Sequence, residues 1–260
     1  MFYLAKDAGE VIRKAFNEAR SYEVKDDRTP VTEADIAVHQ LVADWVSMQF
    51  PDAYLLSEEN KKDAAGYNGQ EVVFVLDPID GTMPYISGLP CFSFVLSVLV
   101  DWQPMGAVVY NPISDLMIMT NVSGMTTIVG SDARVSVTGT QKLEGAYINT
   151  IFWKKCDYKI LKVVEKLLNK GAHCFNTYSG AFECALVAAG RLDAVVFPGH
   201  NIWEAAAAQC LINGAGGGGK VTDIRGKALD FSKQNIDGFV VSNGKVHDQI
   251  IEVIRQVNAW

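Results

Sequence analysis

Two aspartates at the end of an apolar run are the residues in this chain best suited to chemistry. Asp77 and Asp80 belong to the segment 77–82 (DPIDGT), which follows five bulky apolar residues at 72–76. The unbroken apolar run predicts a strand covered on both faces, which the proline and glycine of the segment bring to an end. Two carboxylates this close repel each other unless a proton or a cation lies between them. The segment therefore predicts a divalent metal site, with a solvated Asp-rich turn as the simpler alternative.

Three further acidic positions could complete such a site, namely Asp35, Glu58 and Glu204. Each also has an ordinary structural explanation, which for Glu58 is a solvated loop beside Lys61 and Lys62. Thr32 and Asp35 have the spacing of a capping box, and Glu204 falls in the first turn of a predicted helix, where negative charge is favourable. Together with the two aspartates, however, these acids would supply enough oxygen ligands for two or three hard cations.

The elements that must position these acids differ between the two halves of the chain. Apolar residues at helical spacing predict two helices before residue 50. Apolar runs separated by turns then predict a sheet of hairpins, with strands at 54–56, 72–76, 92–100, 105–110, 116–120 and 126–129. After residue 131 strands alternate with helices, the strands at 146–150, 194–197, near 221 and at 239–242, the helices at 158–170, 180–189, 202–213 and 246–257. We predict an N-terminal α+β domain over 1–130, carrying the metal-binding motifs, and a C-terminal α/β domain over 131–260 that completes the site.

Composition favours a globular protein that acts on small molecules. A chain of 260 residues with 49% hydrophobic content can bury a sizeable core. The 30 acidic against 23 basic residues give a formal charge of −7, which argues against a nucleic-acid polymer as partner. The longest apolar stretch, 92–100, is too short for a membrane span, and the N-terminus does not resemble a secretory signal, so we expect a cytoplasmic protein without a membrane partner. Five widely spaced cysteines without a CxxC pair predict reduced thiols.

The acidic motifs, taken in order, resemble those of the inositol monophosphatase family of magnesium-dependent, lithium-sensitive phosphatases. The matching segments are 31–35 (VTEAD), 57–59 (SEE), 77–82 (DPIDGT) and 203–206 (WEAA). The similarity spans nearly the whole chain, and the DPIDGT segment is its most specific part. The resemblance implies an αβαβα layered sandwich of the inositol monophosphatase and fructose-1,6-bisphosphatase type, with metals held between the two halves. It also implies a homodimer.

The resemblance further implies a role for each matching residue in a Mg²⁺-dependent phosphomonoesterase acting on a small phosphorylated metabolite. The ligands of two or three Mg²⁺ ions would be Glu58, Asp77, the carbonyl of Ile79, Asp80 and Glu204. Glu58 and Thr82 would orient a metal-activated water that attacks phosphorus in line, and Asp35 would accept a hydrogen bond from Thr82. The residues in contact with substrate would be Asp80, Gly81, Thr82, Gly180, Phe197 and Glu204, with the Gly81 and Thr82 amides facing the phosphate.

Two positions depart from the family pattern. Glu204 stands where the family has aspartate, and its extra methylene displaces the carboxylate by about 1.5 Å on a fixed backbone. Either the helix sits slightly back, or the second metal is weakly held. Phe197 aligns with a glutamate that inositol-specific members direct at sugar hydroxyls, so a strict inositol preference is not implied. Segments 56–59, 201–203 and 226–230 are similar to 3'(2'),5'-bisphosphate nucleotidases, and 86–90 to histidinol-phosphatase members.

Three alternatives predict different chemistry. Haloacid-dehalogenase phosphatases use an aspartate nucleophile in D-x-D-x-T, whereas Asp77 and Asp80 are one residue further apart. An EF-hand needs acids at alternate loop positions and a closing glutamate, which this segment lacks. A non-enzymatic binding or regulatory protein of the same fold, with its metal site weakened at Glu204, is the third alternative.

Overall fold

A computed structural model describes residues 1–18, 22–24, 30–60, 71–131, 133–153, 156, 159–199 and 201–257. In the first half, a small antiparallel pair and a six-stranded sheet accompany the opening helices. The helices are α1 (Phe2–Asn17), α2 (Glu33–Gln49) and α3 (Thr82–Ile86). The strands are β1 (Tyr22–Val24), β2 (Pro30–Thr32), β3 (Tyr54–Ser57), β4 (Val72–Asp80), β5 (Ser93–Val100), β6 (Gln103–Asn111), β7 (Leu116–Thr120) and β8 (Thr126–Ile128). The large sheet has the order β3-β4-β5-β6-β7-β8, and β3 is parallel to β4 whereas the later pairs are antiparallel.

The second half forms a five-stranded mixed sheet with the order β10-β9-β11-β13-β12. Its strands are β9 (Tyr147–Thr150), β10 (His173–Phe175), β11 (Ala194–Phe197), β12 (Lys220–Asp223) and β13 (Phe239–Ser242). Its helices are α4 (Ile160–Asn169), α5 (Gly180–Ala188), α6 (Ile202–Gly214) and α7 (His247–Gln256). Strand β9 is parallel to both of its neighbours, so the carboxyl ends of β9 and β11 open on the same edge of the sheet.

The two sheets and the helices stack as five layers. Helices α1 and α2 cover one face of the first sheet, while α5 and α6 pack between the two sheets. Helices α4 and α7 cover the outer face of the second sheet. The alternation of side chains along a strand supplies both faces, since Val195 packs in the central layer and the next residue, Val196, packs against the outer helices. Four consecutive buried alanines at 205–208 allow α6 to fit closely between the sheets.

The helices and strands predicted from the sequence are confirmed. The structure adds β1, β2, β10 and α3, which are three to five residues long and therefore too short to show a periodic pattern. No helix in the described ranges is long and apolar enough to cross a membrane. The division into two domains at residue 130 stays a prediction, because the largest core cluster contains residues of both halves.

The end of β4 differs from the prediction, since the strand continues through Pro78 to Asp80. Asp77 is paired with Val95 and Asp80 with Ser93, so β4 holds one extra residue between these two pairs. This irregularity accommodates the proline, which lacks the N–H that a regular ladder would require. Gly81 then ends the strand in the left-handed region at φ 92°. The bulge therefore places the site residues at the sheet end.

The start of α2 is held by a capping box between Thr32 and Asp35, as predicted. The Thr32 amide and hydroxyl donate to Asp35 Oδ2 at 2.8 and 2.6 Å, and the Asp35 amide donates to the Thr32 hydroxyl at 3.4 Å. We expect Thr32→Ala to lower the free energy of unfolding by about 1 to 2 kcal/mol, because it leaves a buried carboxylate and a helix amide short of partners. Urea unfolding of the metal-free protein measures this change. Thr32→Ser is the matched control and should retain most of the stability.

Candidate functional site

The predicted site residues come together in one open cleft between the two halves. The cleft has a volume of about 170 Å³ and opens to solvent, so a ligand larger than this volume would extend out of it. It is lined by Glu58, Asp77, Ile79, Asp80, Gly81, Thr82, Met83, Ile151, Trp153, Tyr178, Gly180, Phe197, Asn201 and Glu204. Every site residue named from the sequence is among them except Asp35. The catalytic and binding roles of these residues stay predictions.

Three carboxylates converge at the base of the cleft. Asp77, Asp80 and Glu204 each place an oxygen within 4.8 Å of the others, and all three side chains are buried. Glu204 lies in the first turn of α6, and its longer side chain still reaches the two aspartates. The extra methylene therefore does not remove this carboxylate from the cluster.

Asp80 also joins the two halves of the molecule. Its Oδ2 accepts hydrogen bonds from the Ser179 hydroxyl at 2.7 Å and from the Ala181 amide at 2.9 Å, and its Oδ1 accepts from the Gly180 amide at 3.0 Å. The Phe182 amide adds a longer bond of 3.2 Å. A carboxylate from the first sheet thus caps the N-terminus of α5, where backbone amides lack helical partners.

Burial and mutual repulsion raise the pKa values of the acids. Burial, followed by the charge of Glu58, raises the pKa of Asp77 well above its usual range. Burial raises the pKa of Asp80 to about 6, although the hydrogen bonds from the start of α5 oppose this shift. Burial also raises the pKa of Asp35 to about 7, against the hydrogen bonds from Thr32. A cation between the carboxylates would favour their ionised forms.

Glu58 follows β3 in a short turn that is tied down by its neighbours. The Asn60 side chain accepts a hydrogen bond from the Ser57 amide at 2.8 Å, and the Ser57 hydroxyl accepts one from the Glu59 amide at 3.2 Å. The His39 ring of α2 hydrogen-bonds the same hydroxyl at 2.9 Å. These contacts fix the backbone that directs Glu58 toward the cleft.

The Thr82 hydroxyl differs from the prediction. It donates to the carbonyl of Ile79 at 3.3 Å, and it makes no hydrogen bond to Asp35 among the described residues. The Oδ2 atom of Asp35 accepts from Thr32 in the capping box instead. The Ile79 amide in turn donates to Asp77 Oδ1 at 3.1 Å, so the turn of the DPIDGT segment is held by its own side chains.

Aromatic and apolar residues form the rest of the cleft lining. Sequence reasoning identified Phe197 but missed Met83, Ile151, Trp153, Tyr178 and Asn201. Ile151 and Trp153 follow β9, and Phe197 ends β11, which is parallel to it. The rule that ligands bind at the carboxyl ends of parallel strands could have found the first two residues.

The donor set fits a hard divalent cation such as Mg²⁺. The charged groups of the described lining are carboxylates, with no lysine or arginine among them, and the carbonyl of Ile79 adds a further oxygen. Oxygen-only ligands are typical of Mg²⁺, Ca²⁺ and Mn²⁺. Because the buried negative charge has no cationic side chain in this lining to balance it, a bound cation would relieve the repulsion that raises the pKa of Asp77.

Sequence comparison finds relatives over most of the chain. A model of the inositol monophosphatase family matches residues 2–259. The fructose-1,6-bisphosphatase/inositol-1-monophosphatase of Thermotoga maritima is 28% identical over 228 residues, which cover 87% of this chain and 83% of that protein. The Nus factor SuhB of Escherichia coli strain K12 is 30% identical over 219 residues, which cover 82% of this chain and 80% of that protein.

Structure comparison confirms the predicted layered fold. An IMPase of Thermotoga maritima superposes with a TM-score of 0.86 at 26% identity, covering 98% of this chain and 95% of that one. An inositol monophosphatase from Anabaena has a TM-score of 0.80 at 23% identity, covering 99% and 95%. At the lower identity the similarity shows the fold alone.

We expect the metal-free protein to lose stability as the pH rises from roughly 5 to roughly 8. Asp80 and Asp35 have folded pKa values of about 6 and about 7, above those of unfolded aspartate, so the folded state binds more protons in this range. Their stabilising contribution is present at low pH and is lost as the pH passes through the folded values. Urea unfolding in EDTA measures the slope, and saturating Mg²⁺ should flatten or reverse it. Asp80→Asn should reduce the slope, whereas the exposed Asp52→Asn should not; an unchanged slope in Asp80→Asn would contradict the assignment.

Proposed function

The chain belongs to the inositol monophosphatase family, and we propose that it is a Mg²⁺-dependent phosphomonoesterase that hydrolyses a small phosphorylated metabolite. The observation that carries this proposal is the convergence of Asp77, Asp80 and Glu204 within 4.8 Å of one another in an open cleft. Buried carboxylates in such an arrangement are costly unless a cation is bound, and phosphoryl transfer needs the charge neutralisation that cations supply.

The residues that would hold two or three Mg²⁺ ions are Glu58, Asp77, the carbonyl of Ile79, Asp80 and Glu204. When bound, the ions would lower the pKa of a water molecule and neutralise charge on the phosphate and the leaving oxygen. Asp77 is the best candidate for a ligand shared between ions, because it lies in the cluster with Asp80 and also has Glu58 as its strongest electrostatic neighbour.

The remaining residues would position the phosphate and the attacking water. Glu58 and the Thr82 hydroxyl would orient the water for in-line attack, and the backbone amides of Gly81 and Thr82 would face the phosphate. Gly180 and Phe197 would contact the alcohol part of the substrate. Asp35, which was predicted to bond Thr82, instead holds the start of α2 through Thr32.

The identity of the metabolite is a narrower question than the reaction. The Thermotoga relative is named for both fructose 1,6-bisphosphate and inositol 1-phosphate, while the Escherichia coli relative is named a Nus factor. We propose the reaction of an inositol-1-phosphatase-like phosphomonoesterase, with inositol 1-phosphate, 3'(2'),5'-bisphosphate nucleotides and histidinol phosphate as candidate substrates. A nucleic-acid polymer stays outside the proposal because of the formal charge of −7. Cytoplasmic location, lithium sensitivity and a homodimer stay predictions.

Phosphate release from four esters tests the reaction. The panel is inositol 1-phosphate, 3'-phosphoadenosine 5'-phosphate, histidinol phosphate and fructose 1,6-bisphosphate. We expect Mg²⁺-dependent release from at least one, abolished by EDTA. Asp77→Asn should lower kcat/KM by about a thousandfold or more, because it removes the most buried charge of the metal cluster. The exposed Asp52→Asn is the matched control. If the wild type releases phosphate from none of the four esters, the non-enzymatic alternative is favoured.

Glu204→Asp tests whether the longer side chain is suited to this backbone. Shortening the side chain withdraws the carboxylate by about 1.5 Å from a cluster that Glu204 now reaches. We expect the Mg²⁺ concentration for half-maximal activity to rise about tenfold, with a smaller change at saturating Mg²⁺, since Mg²⁺ tolerates little error in ligand geometry. A metal titration of phosphate release measures this. A variant that needs less Mg²⁺ than the wild type would show instead that Glu204 weakens the site.

A further inference from the structure

We infer that the cleft selects phosphate esters whose alcohol carries a planar aromatic ring, in preference to esters of polyols. This inference rests on the proposed phosphatase function and names the substrate class of the same site. It is carried by an aromatic wall, defined as Trp153, Tyr178 and Phe197, which lines the same cleft as the acidic cluster.

Two members of the aromatic wall are open to solvent in the cleft. Trp153 is 40% exposed and Tyr178 is 45% exposed, although both lie in a concave region next to a buried core. Exposed aromatic faces in a cleft leave apolar area available to a ligand. A planar aromatic ring would stack on these faces over more of its area than a saturated ring that carries hydroxyls.

The third member of the aromatic wall, Phe197, is held rigidly by its neighbours. Phe197 is 6% exposed and packs against Phe239, with ring centroids 5.0 Å apart, and against Trp153 at 6.4 Å. A Cβ atom at Gly180 would lie 2.5 Å from the Phe197 ring, and one at Gly199 would clash more severely. The two glycines therefore let the ring lie directly against the backbone. The ring position is fixed because neighbouring atoms on several sides leave it no room to move.

Phe197 is connected to the acidic cluster through Gly180. The Gly180 amide donates to Asp80 Oδ1 at 3.0 Å, while the ring of Phe197 lies against the same glycine. The aromatic wall is therefore set at a fixed place relative to the carboxylates that would bind metal and phosphate. An ester held by its phosphate at the acids would have its alcohol against the wall.

Tyr178 is held in the cleft by an unusual backbone conformation. Its φ of 63° lies in the left-handed region, which a bulky residue rarely adopts. The Asn176 side chain accepts a hydrogen bond from the Tyr178 amide at 3.1 Å and stabilises this turn. Such strain persists where the surrounding structure requires it and is concentrated at ligand sites.

The same lining offers few partners to a polyol. Apart from the carboxylates proposed as metal ligands, the polar side chains of the described lining are those of Thr82 and Asn201 and the polar edges of Trp153 and Tyr178. In inositol phosphate every ring carbon without phosphate carries a hydroxyl. Burying those hydroxyls against Met83, Ile151 and Phe197 would cost hydrogen bonds to water without replacing them.

Two matched pairs of ligands test this inference on the wild-type protein with Mg²⁺. The first pair is the hydrolysable 2-phenylethyl phosphate and 2-cyclohexylethyl phosphate, which have similar leaving groups and apolar size but differ in planarity. The second is the corresponding pair of non-hydrolysable phosphonates, compared by calorimetry. We expect the phenyl member to be favoured about 3- to 10-fold in kcat/KM and in affinity. The phenyl ester should also exceed inositol 1-phosphate in kcat/KM.

Trp153→Leu and Tyr178→Leu test the role of the wall itself. We expect each variant to lower the phenyl-to-cyclohexyl ratio of kcat/KM for the esters, and of affinity for the phosphonates, to about one half to one tenth of the wild-type ratio. Tyr147→Leu is the matched control, because Tyr147 is also an exposed aromatic residue but lies at the opposite end of β9 from Ile151 and Trp153. Circular dichroism checks that the variants fold.

The outcomes separate this inference from the proposed function. Suppose that both the phenyl and the cyclohexyl ester are hydrolysed. If the wild type then shows no preference for the phenyl member, or if the wall variants keep the wild-type phenyl-to-cyclohexyl ratio, the aromatic subsite is wrong and the phosphatase function stands. If the phenyl phosphonate binds preferentially without any ester being hydrolysed, the subsite stands and the proposed reaction fails. If no ester is hydrolysed and neither phosphonate binds, both are wrong.

Discussion

The hydrogen bonds from the start of α5 to the carboxylate of Asp80 connect the two halves of this molecule at its functional cleft. Asp80 ends β4 in the first sheet, whereas Ser179, Gly180 and Ala181 begin a helix of the second half. The amides at the start of α5 have no partners within the helix, and the buried carboxylate of Asp80 requires hydrogen-bond donors. The same bonds therefore satisfy both groups. Asp80 thereby sets the distance between the acidic side of the cleft and the ring of Phe197.

The acidic side carries more negative charge than the protein balances by itself. Asp77, Asp80 and Glu204 are buried together, and burial with mutual repulsion raises the pKa of Asp77 well above its usual range. A protein that maintains such a cluster gives up stability in the absence of a cation. Under the proposed function this arrangement would hold the cations that phosphate-ester hydrolysis uses.

Reaction and selectivity are built from different parts of the fold. The ends of β3 and β4 contribute Glu58, Asp77 and Asp80, which would handle metal and phosphate. The loop after β9 and the end of β11 contribute Trp153 and Phe197, which would meet the alcohol. The parallel pairing of β9 and β11 brings these side chains to one edge of the second sheet, where ligands commonly bind.

Apolar periodicity and motif spacing are local properties, so they were sufficient to predict the main strands and helices, the family, and a metal site at the DPIDGT segment. The sequence could not determine that β4 passes through Pro78, because a bulge depends on pairing with β5. It also could not show that the Thr82 hydroxyl bonds the carbonyl of Ile79 rather than Asp35, or that Glu204 reaches the cluster. These depend on where separate elements come to rest. The aromatic wall belongs to the same class, because Trp153, Tyr178 and Phe197 are distant in sequence and share no pattern until the tertiary structure places them around one cleft.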